Sequence, residues 1–319
     1  MHRATLLLVV AIAARPLLAL DTAAVRCAHD VFGSISGIWP GWTDAPFSVV
    51  IVEEDAEYLL GPSSAPPTFE RLPATVDGFV VHRRKRTFAP NLLATFPAFS
   101  AEPAIVVGTP SATGKSRTAW IFTLLHEHFH QLQQSRPGYY EAANSLDLAR
   151  GDTTGMWMLN YPFPYADRTV QEKYRQFSHA LAAALRSRGT AAFAGALREV
   201  KTTWRAFREA LSKDDYAYFR FQAWQEGVAR YTELTAAMKS ASGPAIDCLQ
   251  DSKPPAQQLA DRMTAEILES LESRNLGDEK RVAFYAAGAA IALVLDETSP
   301  SWKGEYFRSP FLMETYFAP

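Results

Sequence analysis

The chain has 319 residues, 48% of them hydrophobic, 12% aromatic and 21% charged, with a formal net charge of -2. That is enough apolar material for a sizeable core, and the aromatic content speaks against disorder. The near-neutral balance offers no basic field for nucleic acid or an anionic membrane surface.

The first residues set an expected location. His2 and Arg3 precede an apolar run, Ala4–Ala14, which Arg15 and Pro16 break before small residues at Ala19, Ala23 and Ala24. This is the layout of a cleavable signal peptide over residues 1–24, too short to span a bilayer. The expected product is secreted or periplasmic, with no stable membrane anchor. A buried N-terminal helix is the competing reading. Arg26 before Cys27 tells against a lipoprotein anchor, because a small residue belongs there. The two cysteines, Cys27 and Cys248, suggest one disulfide in an exported chain, or else two buried thiols. On the chain-entropy account such a bond stabilises by closing a long loop in the unfolded chain.

Residues 25–115 read as a β-containing part. Strand candidates are Phe47–Val52, Phe79–His82 after the Asp77-Gly78 turn signal, and Ala104–Gly108, with a Pro/Ser-rich loop at Gly61–Thr68. Residues 116–319 read as helical. Thr118–Ser135 lacks Pro and Gly and stops at Pro137-Gly138. A loop-rich stretch follows from Gly138 to about Asp167. In Ala191–Leu211 the residues Phe193, Leu197, Val200, Trp204, Phe207 and Leu211 form an amphipathic stripe, read as core. Asp214 or Asp215 is the expected cap of a helix running to about Met238, and Pro255–Arg274 and Asp278–Leu295 are two more helices. The fold class is α+β.

Within the Thr118–Ser135 helix, residues 126–130 read His-Glu-His-Phe-His and satisfy the pattern H-E-x-x-H. His126 and His130 lie one turn apart on one face, where both imidazoles reach one Zn2+ at about 2 Å. Glu127 projects beside them, placed to act as general base towards a metal-bound water. His128 points to another side of the helix and is read as a hydrogen-bonded core or interface histidine, with Leu125 and Phe129 facing the core.

The third ligand is less local. The metzincin continuation needs a glycine at 133 and a histidine at 136, but the chain has Gln133 and Arg136; a thermolysin-like short spacing needs an acid at 149 or 150, occupied by Ala149 and Arg150. Glu141, Asp147 and Asp152 are acids just downstream. Trp224–Glu233 (WQEGVARYTE) resembles the E-G-x-A-x-Y element of the gluzincin (peptidase MA-like) superfamily. The resemblance covers two short motifs. It implies a zincin-like fold, Glu226 as third ligand, and Gly227 as a point of close helix approach, since a mid-helix glycine costs about 1 kcal/mol and asks for a reason. It further implies an oxyanion donor downstream, for which Tyr285 is the first candidate and Tyr231 the second. Glu233 shares the face of Glu226 and is expected, with Tyr231, to support the ligands from behind. Ala104–Gly108, just before the metal helix, is the expected edge strand for extended substrates. The function these features imply is zinc-dependent hydrolysis of a peptide or protein substrate. The alternative is a non-catalytic, zinc-containing secreted binding protein with a degenerate peptidase fold.

Overall fold

Val49–Val52 and Ala104–Gly108 are apolar and buried at every position, the pattern of strands covered on both faces. In the computed structural model, which describes residues 21–61, 66–99 and 102–317, these two runs pair in parallel at the middle of a six-stranded sheet. The strands are β1 (Val49–Val52), β2 (Ala56–Leu60), β3 (Glu70–Val76), β4 (Phe79–Lys85), β5 (Leu93–Phe96) and β6 (Ala104–Gly108), in the order β3-β4-β2-β1-β6-β5. Every pairing except β1 with β6 is antiparallel. Pro73 lies in β3, an outer strand, where a missing N–H is tolerated, and the β3–β4 register shifts between Arg71 and Thr75.

The position of β5 corrects one expectation. Ala104–Gly108 is not the edge strand, because β5 covers its outer side. β5 is only four residues long and mostly half-buried, so neither length nor alternation marks it in the sequence. The loop that delivers it is anchored by Glu57, a fully buried carboxylate on β2. Glu57 accepts hydrogen bonds of 2.6 Å from the backbone N–H groups of Thr87 and Phe88 and from Arg84 Nε. A buried carboxylate is tolerable when its charge is met this fully. The same Arg84 carries β4 past the predicted His82 end.

The sheet face towards the helices joins the main core; the other face carries a smaller cluster of Val50, Val52, Leu59, Phe69 and Val106. Helix α1 (Thr22–Ser34) precedes the sheet, with Asp21 accepting from Ala24 N at its start. The first twenty residues of the expected signal peptide lie outside the described residues; Thr22–Ala24 form the first turn of α1. Helix α2 (Arg117–Gln134), capped by Ser116, follows β6 directly. The loop-rich stretch holds two short helices, α3 (Tyr139–Asn144) and α4 (Trp157–Asn160). Then α5 (Arg168–Ser187) packs on α6 (Phe193–Glu209), whose Val200, Trp204 and Phe207 are buried as the stripe predicts.

The single helix expected up to Met238 is α7 (Lys213–Gln222), one π turn at Ala223–Gly227, and α8 (Val228–Ser242). Its cap is Ser212, not Asp214 or Asp215: the Ser212 hydroxyl accepts from Asp215 N at 3.1 Å. Helix α9 (Ala256–Ser273), short α10 (Leu276–Glu279), α11 (Ala283–Thr298) and α12 (Trp302–Glu305) complete the chain. Cys27 on α1 is bonded to Cys248, 221 residues away, so the chain is stapled as expected and holds no free cysteine. Among the described residues no helix is long and apolar enough to cross a membrane.

Candidate metal centre

Helix α2 carries His126 and His130 on the face that meets the π turn. The two Nε2 atoms stand 3.2 Å apart, and Glu226 Oε2 lies 3.7 Å from His126 Nε2 and 3.4 Å from His130 Nε2. Among the described residues these three form a group whose ligand atoms all lie within 4.8 Å of one another. A small divalent cation held tetrahedrally at about 2.0–2.2 Å places its donors about 3.3–3.6 Å apart. The observed spacings straddle that range, and two imidazoles with one carboxylate are a suitable donor set. The residues fit a metal ion.

Glu226 reaches this point because the chain widens there. Ala223–Gly227 is one π turn inserted between α7 and α8, a distortion that re-aims side chains and concentrates at functional sites. Next to it, Gly227 meets Gly288 of α11 so closely that a Cβ on Gly227 would stand 2.4 Å from Gly288 Cα. The glycine beside the ligand thus permits two helix backbones to touch.

A surrounding layer of groups sets the imidazole tautomers. Gln133, fully buried, donates through Nε2 to the carbonyls of Trp224 and Gln225 at 3.2 and 3.1 Å. Carbonyls only accept, so the Gln133 oxygen faces His130 Nδ1 at 2.7 Å. Nδ1 therefore carries the proton, and Nε2 keeps its lone pair for the cation. The Gln225 amide lies 3.1 Å from the same Nδ1 and 3.0 Å from the Tyr139 hydroxyl. The end turned to His130 is Gln225 Nε2, while Gln225 Oε1 accepts from the Tyr139 hydroxyl.

Behind His126, Glu233 Oε2 lies 3.5 Å from Nδ1, and Glu233 is held by Arg230 Nη1 at 3.0 Å and approached by Thr123 Oγ at 3.4 Å. Burial opposes charge on His126, but Glu226 and Glu233 outweigh it and push the imidazole up to about 10. Burial likewise opposes ionisation of Glu233, which Arg230 brings down to about 2. Glu226 is held well below the carboxylate range against its own burial, chiefly by the charge of His130. The cluster is built to stabilise positive charge between its donors.

Glu127 is buried beside this group. Thr95 Oγ, from β5, lies 2.8 Å from Glu127 Oε2 and 2.9 Å from its carbonyl oxygen, and Gln134 Nε2 donates to the Thr95 carbonyl at 2.9 Å. The edge strand and the metal helix are tied at the candidate base. His126, His130, Glu226, Glu127, Thr95 and Glu233 open on one cleft of about 970 Å³, a size suited to a small molecule or a few residues of a chain. β5 forms one wall; exposed Met156, Leu159 and Val282 stand on its rim.

The other predicted residues divide. Tyr285 lines the cleft against Glu226, and its hydroxyl accepts from Arg281. Tyr231 does not reach the site: its hydroxyl donates to Asp296 at 2.7 Å, and its ring packs near Trp39 and Trp302. Five residues separate it from Glu226, and the intervening turn carries it to the opposite side. His128 is a core histidine, its nitrogens 2.9 Å from Gln131 Oε1 and 3.1 Å from the Trp42 carbonyl. Asp152 caps the turn before α4, accepting from Trp157 N at 2.6 Å. Sequence reading missed Gln133, Thr95, Arg230 and Arg281. Only Gln133 carried a local signal, standing one turn beyond His130.

The chain matches no protein-family model, no curated protein and no solved structure.

Proposed function

We propose that the protein is a zinc-dependent hydrolase acting on peptide bonds outside the cytoplasm. The observation that carries this reading is the convergence of His126, His130 and Glu226 at tetrahedral spacing, with Glu127 on the same helix and all four in one cleft. A zinc ion held by these three groups supplies Lewis acidity, which polarises a carbonyl and makes water a stronger acid. Thr95 occupies Glu127 Oε2, which leaves Oε1 as the oxygen that accepts a proton from the attacking water and returns it to the leaving nitrogen. Tyr285 lines the same cleft beside Glu226, within reach to serve as donor to the oxygen that gains negative charge. Among the described residues β5 has no strand on its outer side, so an extended peptide has a backbone to pair with. The disulfide and the apolar leader support export.

The purified protein is expected to hold about one zinc per chain and to lose it on His130→Ala. Glu127→Gln is expected to keep the metal and lose cleavage of a mixed peptide library. Cleavage that survives in Glu127→Gln refutes the mechanism; a wild-type protein that takes up zinc but cleaves nothing refutes the reaction.

A further inference from the structure

The cations lining the cleft are paired differently. Arg230 binds Glu233 and Glu266 at 3.0 and 2.7 Å, and Arg274 binds Glu269 and Glu279 at 3.2 and 2.8 Å. Lys115 contributes its charge to Glu233. Among the described residues Arg281, like Lys115, forms no ion pair, and it is the one guanidinium of the cleft in that position. Its hydrogen bond goes to the Tyr285 hydroxyl, and the groups acting most strongly on it are Tyr285, Glu226 and Tyr218. Glu226 is committed to the histidine pair. A half-buried guanidinium has five N–H donors in a planar fork that matches a carboxylate, and one without an anion is poorly compensated.

Its place relative to the reaction is narrow. Arg281 donates to Tyr285, and Tyr285 touches Glu226. The fork is therefore about two hydrogen-bond lengths, roughly 6 Å, from the metal group. One residue of extended chain spans about 3.5 Å. A carboxylate on the fork belongs to the first residue or two beyond the bond being broken. Val282, next in sequence, and Met158 and Leu159 elsewhere in the lining give the cleft apolar surface for the accompanying side chain.

We infer that Arg281 binds a carboxylate of the substrate close to the scissile bond, so that the preferred substrates are peptides ending one or two residues beyond it. The inference rests on the peptidase reading. Water adds across the last or the last but one amide: the C–N bond breaks, hydroxyl goes to the carbonyl carbon and the proton to the nitrogen, and a C-terminal amino acid or dipeptide, respectively, leaves. The carboxylate is either the chain end or an acidic side chain at the same distance.

The test uses zinc-loaded protein and N-acetylated hexapeptide pools as C-terminal acids, as C-terminal amides, and as amides with Glu in the last position, read by mass spectrometry. Charged hydrogen bonds predict acids shortened from the C-terminus about ten- to a hundredfold faster than plain amides. Faster cleavage of the Glu amides identifies a side-chain carboxylate as the source, and faster cleavage of the acids identifies the chain end. No acceleration of either overturns the inference. Arg281→Gln is expected to keep its zinc and to abolish the preference for the carboxylate-bearing pool; a preference that survives this change also overturns it. A second measurement is independent of turnover: calorimetry of the Glu127→Gln protein with N-acetylphenylalanine and its amide. The acid binds, the amide does not, and adding Arg281→Gln removes the difference. If no pool is cleaved, the peptidase reading fails, and equal binding of acid and amide then refutes the carboxylate site separately.

Discussion

Replacing Gly227 by alanine puts one methyl group where the ligand-bearing helix crosses α11. The new Cβ would stand 2.4 Å from Gly288 Cα, 2.9 Å from Gly288 C and 3.1 Å from Ala289 N, all backbone atoms that no rotamer change can move. Carbon atoms rest about 3.5–4.0 Å apart, so the two helices must separate by about 1 Å. On an unhindered helix the change from glycine to alanine is worth about 1 kcal/mol in favour of folding. Overpacking a buried contact costs about 1–3 kcal/mol, occasionally more. Because both partners here are backbone, the overpacking term wins, with a net loss of about 2 kcal/mol and a Tm lowered by about 3 °C in a chain of this size. Metal sites tolerate displacements of about 0.2 Å, and Glu226 is the adjacent residue, so zinc affinity falls by about tenfold or more. Gly195 is the control: it lies exposed in α6, with only Arg198 Nη2 at 3.8 Å from an added Cβ, and Gly195→Ala should stabilise by about 0.5–1 kcal/mol. Thermal unfolding by circular dichroism and zinc competition against a chromophoric chelator read both effects. If Gly227→Ala gains stability as Gly195→Ala does, the close crossing does not exist.

Gln133→Leu removes the acceptor that holds the His130 tautomer and the side-chain donor to the Gln225 carbonyl; zinc affinity should fall about 10–100-fold and stability by about 1–3 kcal/mol, and unchanged chelator competition would count against the orienting role. Burial pushes His128 down to about 4 from the usual 6.5, against two acceptors that favour its charged form. Below pH 6.5 the unfolded chain therefore takes up a proton that the folded chain refuses, and stability falls as pH drops from about 6.5 to about 4. His128→Gln should flatten that slope by up to about 3 kcal/mol, leaving the smaller contributions of His29 and His82, which are also lowered by burial; parallel urea titrations at pH 7 and pH 4.5 decide it. Reducing Cys27–Cys248 reopens a loop of 221 residues, worth about 5 kcal/mol on the chain-entropy account, and a Tm insensitive to reductant would show that the bond adds nothing.

The parts of this molecule legible in the sequence are those decided inside one element. His126 and His130 share a face because one helical turn separates them, whatever packs around that helix. β6 and the core of β1 are visible because four or five consecutive apolar residues have few other uses, and the α6 stripe because its period is that of a helix. Glu226 was reachable only through resemblance to a short motif, since nothing local distinguishes it from an exposed glutamate. Tertiary structure alone decided the rest. It made β5, a four-residue strand without a pattern, the edge beside the cleft, and it moved Ala104–Gly108 inside the sheet. It decided that Cys27 and Cys248 lie close enough to bond, and it turned Tyr231 away. Each of these depends on which distant backbones come into contact, as Gly227 and Gly288 do, and packing between elements leaves no periodic trace in any one of them.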